Sequence, residues 1–142
     1  MVYSLLIVLS SVCAFTDYKF RKILNMITFP AIFVGLLYWT INDGLQGMVT
    51  WGAGLIVGLL LLIVPFVLGG MGAGDVKMLA MVGALAGAKF VFMSFLFGAI
   101  IAGLFCFYYL FVLKGSRKDY IPYGVFISIG VFIQIYLEVG VS

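Results

Sequence analysis

Long apolar runs, cut only at a few charged and turn-forming residues, leave this chain very few folds to adopt. The runs occupy 2–16, 26–41, 45–68, 76–88, 90–113 and 121–141. A transmembrane helix needs about 20 mostly apolar residues, and in lipid its backbone must satisfy its own hydrogen bonds. Uninterrupted apolarity without strict alternation favours helices over the strands of a membrane barrel. The composition agrees, with 65% of 142 residues hydrophobic and 9% charged, against roughly a quarter charged in a soluble domain. A soluble fold and intrinsic disorder are both excluded. The expectation is one membrane-embedded, all-α domain over residues 1–142 with six transmembrane helices.

The boundaries carry the sidedness. The first run closes at Asp17, Lys19, Arg21 and Lys22, and the second at the turn signal Asn42-Asp43-Gly44. A glycine-rich break at 69–74 precedes Asp75 and the fourth run, which at 1.5 Å per residue is only about 20 Å long. Such a short helix persists only where neighbours shield its ends. Six crossings put 17–25, 69–77 and 114–119 on one side. That side then holds Lys19, Arg21, Lys22, Lys77, Lys114, Arg117 and Lys118, with only Lys89 opposite. The positive-inside rule makes it cytoplasmic and both termini external. The basic residues are thereby explained by membrane orientation, with no nucleic-acid partner required. Residues 1–16 resemble the apolar core of a signal peptide but lack a basic start and an A-x-A-like cleavage site, so they read as a retained first helix. Gly54/Gly58, Gly83/Gly87 and Gly98/Ala102 have the small-xxx-small spacing of packed membrane helices.

Chemistry is limited by what is missing. There is no His, which removes the commonest neutral-pH base and metal ligand. Cys13 and Cys106 sit in apolar runs and form no CxxC pair, so they read as buried thiols, and no metal or cofactor is expected. Of five acidic residues, Asp43 and Glu138 read as solvated ends, and Asp119 as a loop residue among Lys114, Arg117 and Lys118. Asp17 and Asp75 both fall where an apolar run meets the cytoplasmic face, two crossings apart. Such positions are often interfacial punctuation, yet ionisable groups there are costly unless paired or functional. Gly72-Ala73-Gly74 before Asp75 gives an open backbone feeding a helix N-terminus, with Asp75 near its N-cap. Two facing carboxyls sharing one proton are a minimal kit for acid/base peptide hydrolysis.

Gly72-Ala73-Gly74-Asp75-Val76-Lys77 resembles the GxGD motif, with its trailing Lys, of the type IV prepilin and preflagellin peptidases. The segment from Asp17 to Asn25 is similar to that family's first acidic motif, except that Leu24 stands where Pro is usual. Ile121-Pro122-Tyr123-Gly124 resembles its Pro-aromatic-Gly approach to the last helix. The resemblance implies a six-helix membrane aspartic protease with Asp17 and Asp75 catalytic. Gly72, Gly74, Asn25 and Pro122 then bind substrate or shape the site. It implies a prepilin or pilin-like substrate, cut at the cytoplasmic edge of the cell membrane between a short basic leader and a hydrophobic segment. The longer members also N-methylate and carry CxxC pairs in an added region. Without these, the chain resembles the short form associated with tight-adherence pili, and peptidase activity without methyl transfer is expected. Lys77, about 200° around a helix from Asp75, reads as a membrane-edge anchor, as do Lys19, Arg21 and Lys22.

Two other readings stand beside this one. A presenilin-like or signal-peptide-peptidase-like protease carries Tyr-Asp and Pro-Ala-Leu motifs, neither of which occurs here. A small proton- or ion-coupled transporter using Asp17 and Asp75 would be expected to place carboxylates mid-span or to show internal repeats. Neither feature is found.

Overall fold

The computed structural model describes residues 1–116 and 121–141, and contains no strand among them. Five helices follow one another: α1 (Val2–Phe20), α2 (Asn25–Val67), α3 (Ala73–Ala86), α4 (Ala88–Phe111) and α5 (Tyr123–Val141). Breaks between them occur where the backbone leaves the right-handed region. Arg21 closes α1 with φ 54, its N–H bonded to the Asp17 carbonyl at 2.9 Å. Gly69, at φ 78, releases the chain from α2, and Gly87, at φ 91, separates α3 from α4.

Six spans with both termini outside is corrected, at the level of elements, to five helices. Four of these (α1, α2, α4 and α5) are long and apolar enough to cross a membrane, and the elements themselves carry no sidedness. One cause lies at 42–44. The helix there is continuous except at Gly44, whose φ 59 and ψ −130 are non-helical, so runs 26–41 and 45–68 become one element. That element doubles back: Trp51 Nε1 donates to the Ile32 carbonyl at 3.0 Å. In a straight helix residues so spaced lie about 28 Å apart. The other cause is α3, whose 14 residues extend about 21 Å, less than the ~30 Å of a hydrocarbon core.

α3 is the buried axis of the molecule, with every residue from 78 to 85 buried. Both halves of α2 clasp it at glycines. A Cβ on Gly54 would lie 1.9 Å from the Gly83 carbonyl oxygen, and one on Gly35 would lie 2.8 Å from that of Ala84. Trp39 Nε1 adds a bond to the Leu85 carbonyl at 3.2 Å. α4 meets α5 equally closely, Gly98 against Phe126 and Gly130 against Ser94. The outer surface is apolar, with Phe29, Phe33, Leu104, Phe107 and Phe111 exposed. Small residues at the helix contacts and large apolar ones outside suit a chain whose solvent is lipid, where close packing rather than hydrophobic collapse joins the helices.

Candidate active site

Asp17 lies in the last turn of α1, only 3% exposed. Its Oδ2 accepts a hydrogen bond from the Gly124 N–H at 2.9 Å. Gly124 is in the first turn of α5, where N–H groups lack intrahelical partners and the helix dipole favours a negative neighbour. A Cβ at 124 would sit 2.8 Å from Asp17 Oδ2, so any other residue there would have to displace the carboxylate. One turn further along α5, Ser128 Oγ donates to the Ser10 carbonyl at 2.9 Å. Together the two bonds fix the register of α1 on α5.

Asp75 sits in the first turn of α3, outside the four helices long and apolar enough to cross a membrane, and is 7% exposed. Gly72 is the N-cap, so Asp75 is the third helical residue, slightly inside the position expected for it. From there its side chain reaches back to the Gly72 N–H, as the third residue of a capping box does. Its Oδ1 is buried with no hydrogen-bonding partner among the described residues. Burial first, and the Asp17 carboxylate second, push its pKa up to about 7 against the opposing Gly72 bond. A buried carboxyl beside a second carboxylate keeps its proton more readily.

Both aspartates line one cavity of about 840 Å³, and they are its only acidic residues among those described. Gly72, Gly74 and Asn25 are also in its wall, while Pro122 is not. Pro122 lies between two wall residues, Ile121 and Tyr123, and opens α5 by accepting the Val125 N–H at 3.1 Å. Gly74 lets Ile23 close over the break, since a Cβ there would come within 3.0 Å of the Ile23 Cβ. Asn25 Oδ1 accepts from Lys77 Nζ at 2.8 Å, and that ammonium lies 5.6 Å from the centre of the Phe29 ring.

Three contributors escaped sequence reasoning. Lys77, read as an anchor turned from Asp75, reaches back to Asn25 and borders the cavity. Gly124 holds Asp17, and Tyr123 forms part of the wall. The available signals were the Lys after the GxGD string and the Pro-aromatic-Gly string. Of the other acids, Asp43 is exposed. Glu138 is not simply solvated, because it accepts bonds from Tyr3 and Gln134. Arg117, Lys118 and Asp119 lie outside the described residues.

Such an arrangement can hold one proton between two carboxyls while both face a space open to water and peptide. That is the requirement of acid/base hydrolysis without a metal. A family model described as the type IV leader peptidase family matches residues 4–107. This stretch carries Asp17, Asn25, Gly72, Gly74 and Asp75 and ends before Gly124. No curated protein and no solved structure matches the chain.

Proposed function

The chain belongs to the type IV leader peptidase family, and from that premise we propose that it is a membrane aspartic endopeptidase with Asp17 and Asp75 as its catalytic pair. Its substrate is a prepilin-like chain, cut between a short basic leader and the hydrophobic segment that follows. The carrying observation is that two acids 58 positions apart in sequence are both buried at the wall of one cavity, with no third acid there among the described residues.

Asp75 holds the shared proton, in keeping with its raised pKa and its unpartnered Oδ1. It hydrogen-bonds the scissile carbonyl oxygen, while Asp17, held by the Gly124 N–H, takes a proton from the attacking water. The water oxygen bonds to the carbonyl carbon as the Asp75 proton passes to the carbonyl oxygen, giving a neutral gem-diol. Collapse breaks the C–N bond. The proton on Asp17 then goes to the leaving amine, and a hydroxyl proton returns to Asp75. No methyl transfer accompanies the cut, since the sequence contains no CxxC pair.

Arg21, Lys22 and Lys77 stand in the wall of the catalytic cavity, and the positive-inside rule then makes that side cytoplasmic. Co-expression with a prepilin, monitoring loss of its leader, tests the reading. Processing that persists in both Asp17→Asn and Asp75→Asn would refute it. Solute transport by reconstituted protein, abolished by the same substitutions, would favour the transporter.

A further inference from the structure

The catalytic cavity borders a second one of a different character. A groove of about 260 Å³ opens between α4 and α5 and shares Met71 and Tyr123 with the catalytic cavity. Asp17, Arg21, Lys22, Asp75 and Lys77 line the first cavity, whereas the groove has no charged residue in its wall among the described residues. Its α4 side is built from Gly98, Ala99, Ala102 and Gly103, and its α5 side from Phe126 and Ile127. Gly98 is consumed by packing on Phe126, but a Cβ on Gly103 would meet nothing within 4 Å. The groove is therefore open at Gly103. Across the shared wall lies Asp75, 7% exposed, with its Oδ1 lacking a partner among the described residues.

We propose that this α4–α5 groove receives the apolar segment that follows the scissile bond, so that the substrate lies across Met71 and Tyr123. The proposal rests on the peptidase reading given above. Any apolar groove would accept a lipid chain or a second copy of this protein. This one begins at the wall of the catalytic cavity, and the surface changes from charged to apolar across two residues. A leader-peptide substrate changes from polar to apolar at its scissile bond. Aligning the two changes puts the reacting carbonyl beside the carboxyls and the first apolar side chains against the small residues of α4. Selectivity then comes from close packing, because lipid is as apolar as the groove itself.

The test uses the full-length protein in liposomes with two probes. One is a prepilin with its apolar segment intact, and the other is a soluble peptide truncated soon after the scissile bond. Gly103→Leu, which adds a side chain at the groove where a Cβ would meet nothing within 4 Å, should lower the ratio of kcat/KM for the intact over the truncated probe. The expected fall is about tenfold, equivalent to about 1.4 kcal/mol of lost packing. An unchanged ratio overturns the proposal and leaves the peptidase reading standing, whereas a wild-type protein that cuts neither probe overturns that reading itself. A photoreactive residue at position 103 in the uncleaving Asp75→Asn protein gives an independent readout. Crosslinks to the apolar segment of the intact prepilin support the proposal, and crosslinks only to lipid or to a second copy overturn it.

Discussion

The backbone N–H of Gly124 donates to Asp17 Oδ2 at 2.9 Å, joining positions 107 residues apart. One acid of the proposed pair is thus held by the first turn of the last helix. The other, Asp75, is held by the cap of its own helix. Each carboxyl is positioned by a backbone donor next to a glycine-containing helix start, so its placement depends on the fold rather than on a flexible side chain.

Gly124→Ala should separate folding from activity. Its added Cβ would lie 2.8 Å from Asp17 Oδ2, so the carboxylate or the start of α5 must move. A displacement near 1 Å at a catalytic group costs on the order of a hundredfold in rate. Leader cleavage by protein that still purifies as a folded species in detergent checks this. Undiminished cleavage would show that the Gly124 contact does not position Asp17.

Asp75 gives the pH dependence. Its pKa rises from the usual 3.8 to about 7 in the folded chain, so the folded state binds the proton more tightly than the unfolded state. Its contribution to stability therefore falls as pH rises through this window and levels off above about 7. Asp75→Asn, neutral throughout, should flatten that part of the curve of thermal midpoint against pH. Cleavage by the wild type, which needs the protonated carboxyl, should decline as pH rises through about 7.

Lys77 and Asn25 should behave as a coupled pair. Their bond of 2.8 Å ties α3 to the start of α2 beside the cavity. Lys77→Met and Asn25→Ala each lose it, so the double variant should be less impaired than the sum of the two. A coupling of about 1 kcal/mol in a double-mutant cycle on stability is expected for one net hydrogen bond. Strict additivity would mean that the contact contributes nothing measurable.

Close packing should make some glycines irreplaceable and others indifferent. Gly54→Val puts a branched side chain where even a Cβ would fall 1.9 Å from the Gly83 carbonyl, a clash with backbone that cannot relax cheaply. Destabilisation of at least 1–3 kcal/mol, about the usual cost of overpacking, is expected. Gly52→Ala, with nothing within 4 Å of the added Cβ, should be neutral or slightly stabilising. Unfolding in a mild detergent–denaturant series compares the two.

These residues also indicate what the sequence could and could not reveal. Apolar runs announced helices because a membrane leaves the backbone no other economical hydrogen-bonding scheme. Asp17 and Asp75 stood out because charges are scarce and both fall at run ends. Element count was less legible. The turn at 42–44 reduces to one non-helical glycine, and a fold-back is written in the Trp51–Ile32 contact rather than in any break of pattern. The Lys77–Asn25 contact was not legible because helical angle describes where a Cβ points, whereas a long flexible side chain can reach a neighbouring element. Gly124 could not be singled out by residue type, since its contribution is a backbone N–H that any residue but proline carries. Only the approach of Asp17 crowds a Cβ there.

The central claim is that Asp17 and Asp75 together cut a leader peptide, and the most direct measurement is the mass of the products from purified protein in liposomes. Wild-type protein should release one leader fragment and one shortened pilin from a prepilin. Asp17→Asn and Asp75→Asn, each still folded, should both leave the prepilin intact. Release of the same fragments by either variant at the wild-type rate would contradict the assignment.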